Sequence, residues 1–131
     1  MAYIVQADIE SRFGEANVQK WSQLDADDVT VDSTRIADAI STAEQDIDNR
    51  FRNSRWTVPF SGTIPKKVVE WAAVLAGWWL YTSRGLRDED EANQMRRIKE
   101  DVDAEIAMYL ANMRTLDSEE SGSHPTAPIA L

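Results

Sequence analysis

Two groups of carboxylates are the side chains of this 131-residue chain best placed to do chemistry: Asp25, Asp27, Asp28 and Asp32, and the run Asp88 to Glu91. Acid–base catalysis needs one carboxyl desolvated and its partner ionised in a pocket. Both groups instead stand in polar stretches where helices start, and carboxylates there cap backbone N–H groups and favour the helix dipole. Calcium binding between Asp25 and Asp32 lacks the glycine and the bidentate glutamate of an EF-hand loop. His124 is the single histidine, with no second ligand type nearby, and there is no cysteine, so metal, thiol and disulfide chemistry have no foothold. A Gly-rich phosphate loop, a GxSxG elbow and an HExxH pair are absent as well. The expectation is no enzyme, no cofactor and no metal.

What remains is recognition. Trp71, Trp78, Trp79 and Tyr81 stand at helical spacing without a basic groove beside them, which points to core packing or subunit contact rather than to a platform for bases. Basic residues gather at Arg50, Arg52, Arg55, Lys66 and Lys67, and again at Arg96 and Arg97. The first group brackets a non-helical stretch, where an acidic neighbour could dock. The net charge of −9 excludes a large nucleic-acid footprint, because phosphate binding depends on clustered Lys and Arg. With 43% hydrophobic and 28% charged residues the composition is that of a soluble globular chain, long enough for a core without metal or disulfide staples. The most apolar run, Trp71 to Tyr81, falls well short of the roughly 20 residues a bilayer needs. The N-terminus has no basic start, so no signal peptide is read and a cytoplasmic location is the default.

The elements that carry these residues follow from periodicity. Gln6 to Phe13 reads as a short helix stopped by Gly14, and Glu15 to Val31 as a loop, with room for one helical turn, carrying isolated anchors Val18, Trp21 and Leu24. Asp32 or Ser33 caps a second helix with Ile36, Ile40, Ala43, Ile47 and Phe51 on one stripe. Asn53 to Ile64 contains Pro59 and Gly62 and leaves the helix as an extended arm, an edge strand or hairpin. Thr63 as cap and Pro65 in the first turn open a third helix that runs to Arg84. The last helix carries Met95, Ile98, Val102, Ile106, Tyr109, Met113 and Leu116 over roughly 29 residues, about 43 Å, and should overhang the third, which is nearer 30 Å. An overhanging apolar stripe needs a second chain, or a fold-back, to cover it. Residues 117–131 are polar and Pro-containing, ending in Ile129-Ala130-Leu131, and read as a tail disordered in isolation. The expected fold is therefore all-α: a small bundle of about four helices in residues 1–116, with a long C-terminal helix, an arm between the second and third helices, and a flexible tail at 117–131.

The order of short motifs adds a family. Arg12-Phe13-Gly14 closes the first helix, Ser41-Thr-Ala-Glu-Gln-Asp-Ile-Asp48 lies in the second, Arg55-Trp56-Thr-Val-Pro59 follows, and Pro65 opens an aromatic-rich helix ending Leu80-Tyr81. Over residues 3 to 113 the chain resembles the small head–tail connector proteins of tailed phages, the adaptor or head-completion group that includes Mu-like phage proteins. The Trp-rich third helix and the tail after Leu116 depart from that pattern. The resemblance implies a virion protein assembled in the host cytoplasm. It would form a homo-oligomeric ring, commonly dodecameric, in the neck beneath the portal protein. The ring would receive a stopper or other neck or tail protein and let genomic DNA pass without specific binding, with no catalytic residues and no membrane contact. On that reading Pro125, Pro128, Ile129 and Leu131 of the tail face the portal. Arg55, Trp56, Val58 and Phe60 of the arm meet a neighbouring subunit or the neck. Met95, Ile98, Val102, Tyr109 and Met113 form the inter-subunit helix face. The alternative is a non-viral helical scaffolding or regulatory module that pairs through the same stripes.

Overall fold

A computed structural model describes residues 3–23, 32–60, 62–84 and 89–111. Among them are five helices and no strand: α1 Gln6–Phe13, α2 Glu15–Ser22, α3 Ser33–Phe51, α4 Lys66–Arg84 and α5 Glu89–Leu110. The all-α bundle is as expected, with one helix more. The stretch from Glu15 that reads as a loop begins with α2. Gly14, at φ +95°, donates its N–H to Glu10 O at 2.7 Å and accepts from Val18 N–H at 3.1 Å, so one glycine both ends α1 and starts α2. Val18, Trp21 and Ser22, three and four residues apart, then turn inward together.

The α3 cap is Asp32, whose Oδ1 accepts from Thr34 N–H at 3.0 Å and Arg35 N–H at 3.2 Å. Ile36, Ala39, Ala43, Ile47 and Phe51 form its buried stripe. α4 is the axis of the molecule. Val68, Trp71, Ala72, Ala73, Val74, Leu75, Ala76, Leu80 and Tyr81 are buried on nearly every side of it, so α1, α2, α3 and α5 pack around it. Gly77 permits the close approach of α1, since a Cβ there would lie 2.2 Å from the Phe13 ring. The helix starts two positions later than its capping pattern suggests. Pro65 carbonyl accepts from Val69 N–H at 3.1 Å, so Pro65 rather than Thr63 occupies the cap position.

The arm corrects the sequence reading most. It is irregular rather than a strand and folds back on the bundle, so Trp56 and Phe60 lie in the protomer's own core at 1% and 2% exposure. Their rings, with Phe51, Trp71 and Tyr109, form one cluster in which the Phe51 and Trp71 rings stack at 5.8 Å. The apolar face of α5 is corrected too. Met95, Ile106 and Tyr109 are buried against the chain itself, and Ile98 and Val102 are half-buried. α5 spans 22 residues against 19 for α4, and the expected overhang toward Leu116 lies outside the described residues. Met113, Leu116, the tail residues Pro125, Pro128, Ile129 and Leu131, and the acidic Asp25, Asp27, Asp28 and Asp88 lie outside them.

Candidate functional site

The segment before α1 lines one wall of a surface groove. Asp8 at the third helical position accepts from Val5 N–H at 2.8 Å, while Val5 carbonyl accepts from Asp8 N–H at 2.9 Å. Ile4 and Ile9, one on each side of this turn, are both buried in the common core. The turn fixes where Tyr3 enters. Its backbone N–H donates to Glu44 and its hydroxyl donates to Asp48, both on α3, while the same hydroxyl accepts from Phe60 N–H of the arm at 2.8 Å. The Tyr3 and Phe60 rings meet edge to face at 5.8 Å. Burial, then the hydrogen bond to Asp48, hold the Tyr3 phenol well above the usual tyrosine range, so it stays protonated and keeps donating. Tyr3 thus ties the N-terminus, α3 and the arm together.

Beside this tie runs an open groove of about 450 Å³ between residues 4–6 and the first half of α3, walled by Ile4, Val5, Ile36 and Ile40 and ended by Glu44. Val5 is 60% exposed and is the large hydrophobic side chain left uncovered among the described residues. A second, more enclosed cleft of about 390 Å³ lies between α4 and α5 and reaches Arg12 of α1. Trp71, Val74, Ile98 and Val102 form its apolar walls, and Glu70, Asp101 and Glu105 its acidic rim. Ion pairs stitch its neighbourhood. Lys67 Nζ lies 3.2 Å from Glu105 and 3.5 Å from Glu70, and Trp71 Nε1 donates to Glu105 at 2.7 Å. The Glu105 hydrogen bond raises the Lys67 pKa. Arg50 reaches Asp103 of α5 at 2.8 Å and Asp46 at 3.0 Å. Burial opposes its charge, but those two carboxylates outweigh it and raise its pKa.

Of the residues singled out from sequence, Ile98 and Val102 come together in the cleft, and Arg55 and Val58 stay half-buried on the arm, the Arg55 guanidinium 4.4 Å from the Trp56 ring centre. Trp56, Phe60, Met95 and Tyr109 are withdrawn into the core. Tyr3, Val5, Glu44 and Asp48 were not singled out. The signal that could have found them is the spacing Ile4…Ile9 around Asp8, a hydrophobic staple that marks an ordered N-terminal turn. Among the described residues no cluster of His, Asp and Glu could hold a metal ion, and no helix is long and apolar enough to cross a membrane. The arrangement is one of grooves and charged rims, suited to protein contacts. No curated protein matches the chain. The model of the family described as Bacteriophage Mu, Gp36 matches residues 3–109, from the tyrosine that ties the arm to the one that closes the aromatic cluster, and the chain belongs to that phage family.

Proposed function

We propose that the protein is a non-catalytic virion component: a head-to-tail adaptor that assembles as a ring in the neck, under the portal, and joins it to a stopper or other neck or tail protein. The observation that carries this reading is membership of a phage Mu family across all five helices. The surface supports it, because beside a buried core the described residues present grooves with apolar walls, one ended by Glu44 and one rimmed by Glu70, Asp101 and Glu105. Such a surface suits contacts made between already folded subunits. The net charge of −9 suits a lumen through which genomic DNA slides without being gripped. Residues 117–131, with Ile129 and Leu131 as apolar anchors, supply the portal contact.

Electron microscopy of the purified protein mixed with its portal tests this. A ring of density on the portal is the expected outcome, and a monomer that leaves the portal bare overturns the adaptor role in favour of a scaffolding module. Deleting residues 117–131 should leave the circular dichroism spectrum and melting curve unchanged and abolish portal binding. Undiminished binding by the truncated chain would remove the tail from the proposal.

A further inference from the structure

The groove beside Tyr3 carries an unbalanced charge. Glu44 and Asp48 are half-buried on α3 and accept from Tyr3, a neutral donor, and neither makes an ion pair among the described residues. Carboxylates partly removed from water without a cation are poorly stabilised; Glu44 ends the apolar groove and Asp48 follows it one helical turn further along α3, so that end lacks its complement. The opposite imbalance lies on the arm. Between residues 49 and 69 the chain has Arg50, Arg52, Arg55, Lys66 and Lys67 and no acidic residue, although the whole chain sums to −9. Arg50 and Lys67 are paired internally, but Arg52 and Lys66 are exposed and make no ion pair among the described residues. Arg52 follows Asp48 by one helical turn and still does not pair with it. Between the two free cations the arm presents exposed Thr57 and Pro59 and half-buried Val58.

We infer that the groove walled by Ile4, Val5, Ile36 and Ile40 receives the arm of a second copy of this chain, Val58 and Pro59 entering beside Val5 while Arg52 and Lys66 meet Glu44 and Asp48. The inference rests on the adaptor reading and names the contact that builds its ring. Groove and arm are different patches present on every copy, so the contact is heterologous and repeats head to tail until rotation closes it. The charges set which patch meets which, and the apolar tip supplies the buried area.

Size-exclusion chromatography with light scattering on the full chain tests it, under conditions where the wild type forms rings. Val5→Glu spoils the groove, and the double variant Arg52→Glu/Lys66→Glu spoils the arm. All three side chains are exposed, so both variants should keep the wild-type circular dichroism and melting curve. Each alone should lose the ring peak and run at protomer mass. An equimolar mixture should give a heterodimer and nothing larger, since it combines one intact groove with one intact arm. Rings that persist in either variant, or a mixture that stays monomeric, overturn the groove–arm contact while leaving the ring standing. A wild-type chain that forms no ring, alone or on the portal, fails at the earlier step and takes this contact with it.

Discussion

The two sides of α4 are held in different ways. Toward α3 the contact is mainly apolar, with Ile36, Ala39, Ala43, Ile47 and Phe51 all buried, and the polar tie sits at one end, where Arg35 donates to Ser83 at 2.7 Å. Toward α5 the buried Ala92, Met95, Ile106 and Tyr109 alternate with polar ties at Lys67–Glu105 and Trp71–Glu105, and a cleft of about 390 Å³ stays open beside them. Continuous apolar burial contributes about 25 cal/mol per Å², whereas half-exposed ion pairs contribute little. The α3–α4 pair is therefore the part of the molecule that must stay folded. α5 is a side layer of lower local stability, and it is where adjustment of the protomer costs least.

The sharpest way to break this contrast is to truncate one residue on each side. Phe51 is fully buried and touches the rings of Trp56, Phe60 and Trp71, so Phe51→Ala should cost ~3–5 kcal/mol in urea denaturation. Val102 is half-buried at the cleft wall, and Val102→Ala should cost about 1 kcal/mol or less. Equal losses would mean that both sides of α4 are packed alike.

The same contrast explains what the sequence disclosed. α3 and α4 were legible because long stripes and an Asp cap repeat the same message over many turns. α2 was not, since eight residues with two large anchors carry too little periodicity, and short helices draw their stability from packing that sequence spacing does not reveal. Pro59 and Gly62 announced that the arm is not helical. The inward turn of Trp56 and Phe60 depends on Tyr3, 57 residues from Phe60 in the chain, and no local pattern records it. The stripe on α5 correctly marked a covered face but not what covers it. Periodicity is the same whether the cover is a neighbouring subunit or, as for Met95 and Tyr109, the chain's own aromatic cluster and α4.

Tyr3 tests the arm separately from the α3–α4 pair. Tyr3→Phe removes the hydroxyl shared by Asp48 and Phe60 N–H and should cost ~1–3 kcal/mol, because it strands a buried donor. Proteolysis within the arm should accelerate more than global unfolding. The phenol also has a sign that can be checked. Its pKa is raised in the fold, so its contribution is complete below the ordinary tyrosine value of 10.0 and is lost as pH climbs beyond it, when the unfolded chain ionises first. Wild-type melting temperature should therefore fall above about pH 10 more steeply than that of Tyr3→Phe. Lys67, also raised, weakens both proteins in that range and cancels from the difference.

The smallest effect bears most directly on α5. Arg50 and Asp103 join α3 to α5 at 2.8 Å with side chains 24% and 32% exposed. Each also has a second partner, Asp46 for Arg50 and Lys99 for Asp103, so single substitutions mix several terms. A double-mutant cycle with Arg50→Met and Asp103→Asn isolates the pair. The expected coupling is ~0.2–1 kcal/mol at low salt, shrinking toward zero near 1 M salt, where screening acts within about 3 Å. A coupling above about 2 kcal/mol that ignores salt would mean that the ion pair is desolvated and anchors α5 as firmly as the apolar stripe anchors α3. In that case α5 would be no adjustable layer, and the two sides of α4 would differ in chemistry but not in strength.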